Sequence, residues 1–322
     1  MMKSKLINSK NVAKYKTQLA LFGIAIIVLL LFIATSPSVF LKPQIYRAFL
    51  STVPFVGIIA LGLTMILALG EIDLSFPAVM AISGFVFAII FETTGSVILA
   101  IIGCLITGAI VGLINGLLIT KIGIPSIIAT LGMQFFIRGF SNLVSQGRAY
   151  SMGLRDTIYQ KIFAGSLLGL PVQSYWFIGL AILLWFILFR HKFGEHILFT
   201  GDNEKATKMM GINVDKVKIM TFILMAVLAS FAGIMDIFRM RTWWPTMGEG
   251  YLMMTMATVF VGGTSMFGGD ATILGTVIGA FIIGSLEAGI VAAGLSGFWT
   301  RFIYGLLIIA AVTLHTVLKK KK

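Results

Sequence analysis

The feature that most limits what this chain can become is a succession of apolar runs, most of them about as long as a membrane is thick. They lie near 18–36, 48–69, 75–92, 96–120, 124–145, 172–190, 217–238, 251–266, 272–293 and 298–318. A helix needs about twenty apolar residues to cross a hydrocarbon core of about 30 Å, so the pattern predicts an all-α polytopic membrane protein. It predicts about ten transmembrane helices, the third and eighth short. Composition agrees: 58% of the residues are hydrophobic, 11% are charged, and the mean hydropathy is +1.00. The net charge of +13 does not indicate a nucleic-acid partner, because no basic patch with interleaved aromatics surrounds it. The first run is too long for a cleavable signal, lacks a small-residue cleavage site, and reads as a signal anchor.

The bases instead describe topology. They fall in a polar N-terminal tail (1–17), in the connection 190–218 and in a basic tail at 319–322, around a transmembrane domain at 18–318. With the N-terminus inside, the inner segments hold roughly twice as many Lys and Arg as the outer ones, which favours both termini and the 190–218 loop in the cytoplasm. Cys104 is the single cysteine, so no internal disulfide forms, and His191, His196 and His315 are not spaced as metal ligands.

The 190–218 connection, RHKFGEHILFTGDNEKATKMMGINVDKVK, is the longest polar passage between spans. Asp202 or Asn203 is placed as an N-cap, Glu204 lies against the positive end of the helix dipole, and Lys205 to Met210 continue the helix. Gly211 is placed to take the left-handed conformation that ends a helix, with Ile212 folding back as the hydrophobic contact of that cap. Ala206, Met209 and Met210 share one face. Such a short helix either rests on its own protein or on lipid headgroups, or it docks a partner.

Two stretches break the apolar pattern at membrane depth: Gly70-Glu71-Ile72-Asp73-Leu74-Ser75-Phe76-Pro77 and Gly262-Gly263-Thr264-Ser265-Met266-Phe267-Gly268-Gly269-Asp270. Irregular backbone there has to be buried in protein or line a water-filled cavity, which makes Asp73, Ser75, Thr264 and Ser265 candidates for a pathway or gate. Arg138 and Glu287 join them, because a charge inside a span needs a partner or water. Asp236 and Arg239 stand at i, i+3 and are expected to satisfy each other. Trp243 and Trp244 read as interfacial anchors or, more sharply, as a stacking surface for a sugar. The 146–171 segment is a candidate surface for an extracytoplasmic partner. Glycines at 108, 112 and 116, and at 275 and 279, allow close helix packing within one subunit or between subunits. Nothing in these stretches supplies a catalytic constellation.

Five passages together resemble the permease subunit of a bacterial sugar ABC importer of the ribose/galactose/xylose type. They are Gly70-Glu71-Ile72-Asp73-Leu74-Ser75, Ile124-Pro125-Ser126 with Thr130-Leu131-Gly132, Arg138-Gly139, GDNEKATKMMGINV at 201–214, and PTMGEGY with VGGTSMFGG within 245–269. The resemblance implies the ABC importer permease fold in the bacterial cytoplasmic (inner) membrane. It also implies that the residues around 203–212 (Asn203, Glu204, Ala206, Met209, Met210, Gly211 and Ile212) form a helix coupling the channel to an ATPase. The implied partners are a cytoplasmic ATP-binding subunit, an extracytoplasmic sugar-binding protein and a second permease, identical or homologous, in a lipid bilayer. This chain departs from the pattern where Lys205 holds the acidic position of the coupling loop, and where Glu71 replaces a usual glycine. It has no G-x4-GK[ST] loop, so ATP belongs to the partner, and the chain is expected to be no enzyme and to carry no cofactor of its own. An ion-coupled secondary transporter, kept open by Arg138 and Glu287, and a branched-chain amino-acid ABC permease are the alternatives. The solute class stays open among pentoses, hexoses, deoxy-sugars, polyols and autoinducer-like furanoses.

Overall fold

The computed structural model describes residues 21–154 and 158–320, with side chains to residue 313. The 1–17 tail, and Lys321 and Lys322 of the 319–322 tail, lie outside the described residues. The chain forms α1 (Leu21–Thr35), a one-turn α2 (Pro37–Phe40), α3 (Pro43–Ala68), α4 (Phe76–Thr94) and α5 (Val97–Leu117), which runs into a π-turn over Leu118–Ile122. After α6 (Ser126–Ser145) come α7 (Ile158–Ala164), α8 (Val172–Arg190), α9 (Lys192–Asp202), α10 (Glu204–Met209) and α11 (Val214–Met240). The last three are α12 (Tyr251–Val261), α13 (Ile273–Ala292) and α14 (Phe298–Lys320). Two two-residue ribbons close loops: β1 (Tyr150–Ser151) pairs antiparallel with β4 (Thr242–Trp243), and β2 (Ser166–Leu167) pairs with β3 (Leu170–Pro171).

Among the described residues, 7 helices are long and apolar enough to cross a membrane: α3, α4, α5 with its π-turn, α6, α8, α11 and α13. The apolar parts of α1, α12 and α14 are shorter. The expectation of a short third span is corrected, since α4 has 19 residues, whereas α12, in the eighth apolar run, is short at 11. The 190–218 passage also holds one helix more than the single one expected, α9.

The bundle is built around α3, whose apolar window is 83% buried, against 22% for α6 at the periphery. Helices α8, α9, α11, α12 and α13 surround it or its ends. Pro54 stands inside α3; the ring removes one ladder hydrogen bond where neighbouring helices enclose the backbone. Near the α10 end of both helices, Thr64 and Thr276 share a buried hydroxyl–hydroxyl hydrogen bond of 2.7 Å between α3 and α13, and whichever hydroxyl accepts it is free to donate back to its own helix, at Ala60 or Thr272.

The glycine repeats resolve as packing within the chain. A Cβ at Gly108, Gly112 or Gly116 would lie within 2.8 Å of α11 atoms, and one at Gly275 or Gly279 would strike the backbone of Gly262 or Thr258. Large apolar side chains on the outer faces of α1, α5, α6, α8 and α14, such as Ile106, Phe135, Ile182 and Phe302, are exposed. A belt of that size suits lipid or another subunit, not water.

Candidate functional site: two polar ends of the bundle

At one end sits α10. Asn203 is its N-cap, its side chain accepting from the Ala206 amide at 3.0 Å; Asp202 instead completes α9. Gly211 has φ +79, the left-handed geometry expected of it, and its amide donates to the Lys208 carbonyl while that of Ile212 reaches Thr207. Ile212 is half-buried against the core. The face inferred from spacing is not covered by this chain: Ala206 is exposed, Met209 is 88% exposed and Met210 58%. Thr207 is the residue that faces inward, at 1%.

Helix α9 makes the link that the sequence reading lacked. Its Gly201 touches both irregular breaks: a Cβ there would lie 2.0 Å from the Ala68 carbonyl oxygen at the end of α3 and 2.6 Å from the Gly269 amide nitrogen. The Gly269 amide itself donates to Ala68 at 2.9 Å. The two breaks, nearly two hundred residues apart in sequence, therefore meet at one glycine on the segment that carries α10. The periodic signal was present, since Phe193, Ile197, Thr200 and Gly201 fall at i, i+4, i+7 and i+8.

Lys218, near the start of α11, ties the same end electrostatically. Its ammonium donates to Glu71 at 2.6 Å and to Glu204 at 2.9 Å, and Glu204 also accepts from Lys208 at 2.7 Å. The Glu71 and Lys218 side chains are 14% and 13% exposed, so this pair is more strongly coupled than surface pairs. Hydrogen bonds from Lys208 and then Lys218 hold the Glu204 carboxyl below the ordinary carboxylate range, with their charges adding to this and partial burial opposing it. Glu71, noted only as a departure from a usual glycine, thus has a partner. Lys121 and Asp215 pair at 2.6 Å on the open surface.

The first break is held by a polar stripe on α6 at four-residue spacing. Ser126 accepts from the Ile72 amide, Thr130 from Leu74, and Gln134 from Ala78. Asp73 accepts from the amide and hydroxyl of Ser75, both at 2.7 Å, and the Ser75 hydroxyl accepts from Asn115. Asp73 is 1% exposed and its Oδ2 has no hydrogen-bond partner among the described residues. In the second break, Thr264 is buried and accepts from the Thr272 amide at 3.4 Å, and Ser265 accepts from Phe267. These four candidates shape irregular backbone at the α10 end.

The other two candidates lie apart from them and from each other. Arg138 continues the α6 stripe, and its guanidinium donates to the carbonyls of Pro245 and Met247, pinning the connection between α11 and α12. Glu287 is exposed and lines a cavity of about 430 Å³ at the end of the bundle remote from α10. Arg239, Tyr251, Thr300, Arg301 and Tyr304 line it as well. Asp236 and Arg239 form no ion pair among the described residues: Asp236 accepts from the Tyr251 hydroxyl, while the Arg239 guanidinium lies 5.3 Å over the Phe55 ring. Trp243 is neither an anchor nor a stacking surface. It is fully buried, donates to the Ala81 carbonyl and packs on Phe85 and Tyr150. The 146–171 segment contributes α7, whose Phe163 stacks on Trp176 and Phe238.

Comparisons with known proteins give the family. The protein-family model described as the permease component of the branched-chain amino acid transport system matches residues 45–312. The ribose import permease protein of Bacillus subtilis strain 168 is 37% identical over 296 residues, covering 92% of this chain and 90% of the relative. That of Escherichia coli strain K12 is 33% identical over 293 residues, 90% and 91% of the two chains. The D-allose transport system permease protein of the same strain is 31% identical over 311 residues, 96% and 95%. No solved structure shows a significant match to the chain. Matched along nearly its whole length, and with seven helices among the described residues long and apolar enough to span, the chain belongs to the permease subunits of bacterial sugar ABC importers.

Proposed function

We propose that this chain forms the membrane path for a monosaccharide or a related small polar solute, as one of two permease subunits, identical or homologous, in the bacterial inner membrane. A cytoplasmic ATP-binding subunit seats on α10, and an extracytoplasmic binding protein delivers the solute at the opposite end. In this reading α1, α12 and α14 cross the membrane with the seven longer helices, giving ten spans with both termini and the 190–218 loop in the cytoplasm. The distribution of Lys and Arg supports that orientation. The matching family model names branched-chain amino acids, but the relatives at 31–37% identity are named for ribose and allose, which favours a sugar.

The observation that carries the coupling role is the unburied face of α10. Met209 and Met210 stand exposed on a helix whose other side is capped, ion-paired and packed. A flexible, polarisable methionine pair is well suited to filling a partner's pocket. Nucleotide binding would favour one arrangement of the two subunits, and α10 would pass that bias to the breaks.

The test is Gly211→Val. Among the described residues nothing lies within 4 Å of a Cβ at this position, so the penalty comes from φ +79, roughly 1 kcal/mol or more for a β-branched residue. The spans are untouched and the variant should insert and assemble. Stimulation of the ATPase by loaded binding protein, measured in reconstituted complexes, should be lost together with uptake. Equal stimulation in variant and wild type would remove the docking role of 203–212.

A further inference from the structure

The cavity between α3, α12, α13 and α14 holds a carboxylate and guanidinium groups that form no ion pair with one another. Glu287 on α13, Arg301 on α14 and Arg239 at the end of α11 all line it, yet no ion pair joins the carboxylate to either guanidinium. Thr300 Oγ1 is buried there without a hydrogen-bond partner among the described residues. Tyr251 and Tyr304 are fixed by hydrogen bonds to Asp236 and to the Ile283 carbonyl, so their rings form set walls. At about 430 Å³ the space falls within the range of small-molecule sites, roughly 300–1,000 Å³.

Each class of occupant can be weighed against this lining. An apolar molecule would leave the Glu287 carboxylate and the Arg301 guanidinium facing it without partners. An anion would meet Glu287, a cation would meet Arg239 and Arg301, and a zwitterion, which could pair with both signs, is set aside only by the sugar-import reading. A neutral solute bearing several hydroxyls satisfies all of them, because each hydroxyl donates to a carboxylate or accepts from a guanidinium or a threonine, and the phenol rings accept its C–H face.

We propose that this cavity is a receiving station for a neutral polyhydroxylated solute within the permease, with Glu287 and Arg301 as its specificity-determining contacts. This rests on the sugar-import reading, and it assigns to the permease a share of recognition that a delivery protein alone would otherwise hold. Its position, at the end of the bundle remote from α10, is where a solute would arrive before the breaks move.

The experiment uses the complete complex in proteoliposomes, with D-ribose, L-arabinose and D-allose as probes. Uptake is first measured for each. The sugar that is imported is then tested for protecting Glu287→Cys, and Thr52→Cys at the rim, against a small cationic thiosulfonate reagent. Cys104 is fully buried and gives little background. Saturating sugar should slow labelling, and Glu287→Leu and Arg301→Leu should lower uptake by roughly tenfold or more, as loss of a charged hydrogen bond implies. Glu287→Gln should recover part of that loss, and a merely structural role would not produce protection. An imported sugar that leaves labelling unchanged overturns the station while sugar import stands. So does protection that depends on the lipid and not on the sugar. Failure to import any of the three removes the sugar reading for them, and the station falls with it.

Discussion

The two polar ends of this bundle treat charge in opposite ways. At the α10 end, Lys218, Glu71, Glu204 and Lys208 form a connected set, with contacts of 2.6–2.9 Å. At the cavity end, Glu287 and Arg301 have no ionic partner among the described residues. Matched charge at a helix junction fixes geometry, since breaking one contact strands its neighbour in a poorly solvated place. Unmatched charge around a cavity keeps donors and acceptors available to something that enters. The first arrangement suits a joint that must carry force, and the second suits a site that must fill and empty.

The sharpest way to break this contrast is at Gly201. A side chain there must displace the end of α3 and the second break together, because both contacts are backbone. Gly201→Val should abolish uptake and lower the melting temperature of the purified complex. Overpacking of a core commonly costs about 1–3 kcal/mol, and two rigid neighbours should bring this variant to the upper part of that range or beyond. A thermally normal, fully active Gly201→Val would show that the breaks do not meet there in the working protein.

Next in size is Lys218→Met. It leaves Glu71 partly buried without a partner and should destabilise the complex by about 2–3 kcal/mol, below the range for fully buried pairs. Glu71→Gln combined with Lys218→Met should recover part of the loss. A double-mutant cycle read by thermal unfolding gives the coupling directly, and strictly additive effects would dissolve the distinction between the two ends.

The smallest effect concerns pH. Because the folded-state pKa of Glu204 is depressed, its contribution to stability is present above the unfolded carboxylate value, about 4.3. It is lost only as pH falls through the lower folded value. Amide protection factors across α10 should therefore hold steady from about pH 7 to 5 and decline only below about 4. Solvent screening of this half-exposed group keeps the change small. Earlier fraying would show that Lys208 and Lys218 do not hold Glu204 in solution.

The long helices were legible because a twenty-residue apolar run has few other fates in a membrane. The capping of α10 was equally legible, for Asn203 and Gly211 act through local backbone chemistry that needs no knowledge of neighbours. Contacts between distant segments were not readable in that way. Nothing near Glu71 announces Lys218, and Trp243 resembles any interfacial tryptophan until its indole is found bonded to Ala81 inside the bundle. Helix α9 was hidden for a different reason: its apolar stripe is narrow, and it lies in a passage whose charges suggested a loop. The α6 stripe of Ser126, Thr130, Gln134 and Arg138 was visible in fragments, but its purpose depends on backbone groups of another element.

The hydroxyl pair of Thr64 and Thr276 limits how the α10 end of the molecule can rearrange. Thr64 lies near the end of α3 and Thr276 near the start of α13, so the 2.7 Å contact acts as a pin between the two helices at that end. Drawing the helices apart there would strand two buried hydroxyls. Tilting about the same point leaves the contact intact. Any alternation of these two helices that keeps the contact is therefore a rocking motion about an off-centre pin, with the smallest displacements beside α10 and the largest at the remote end.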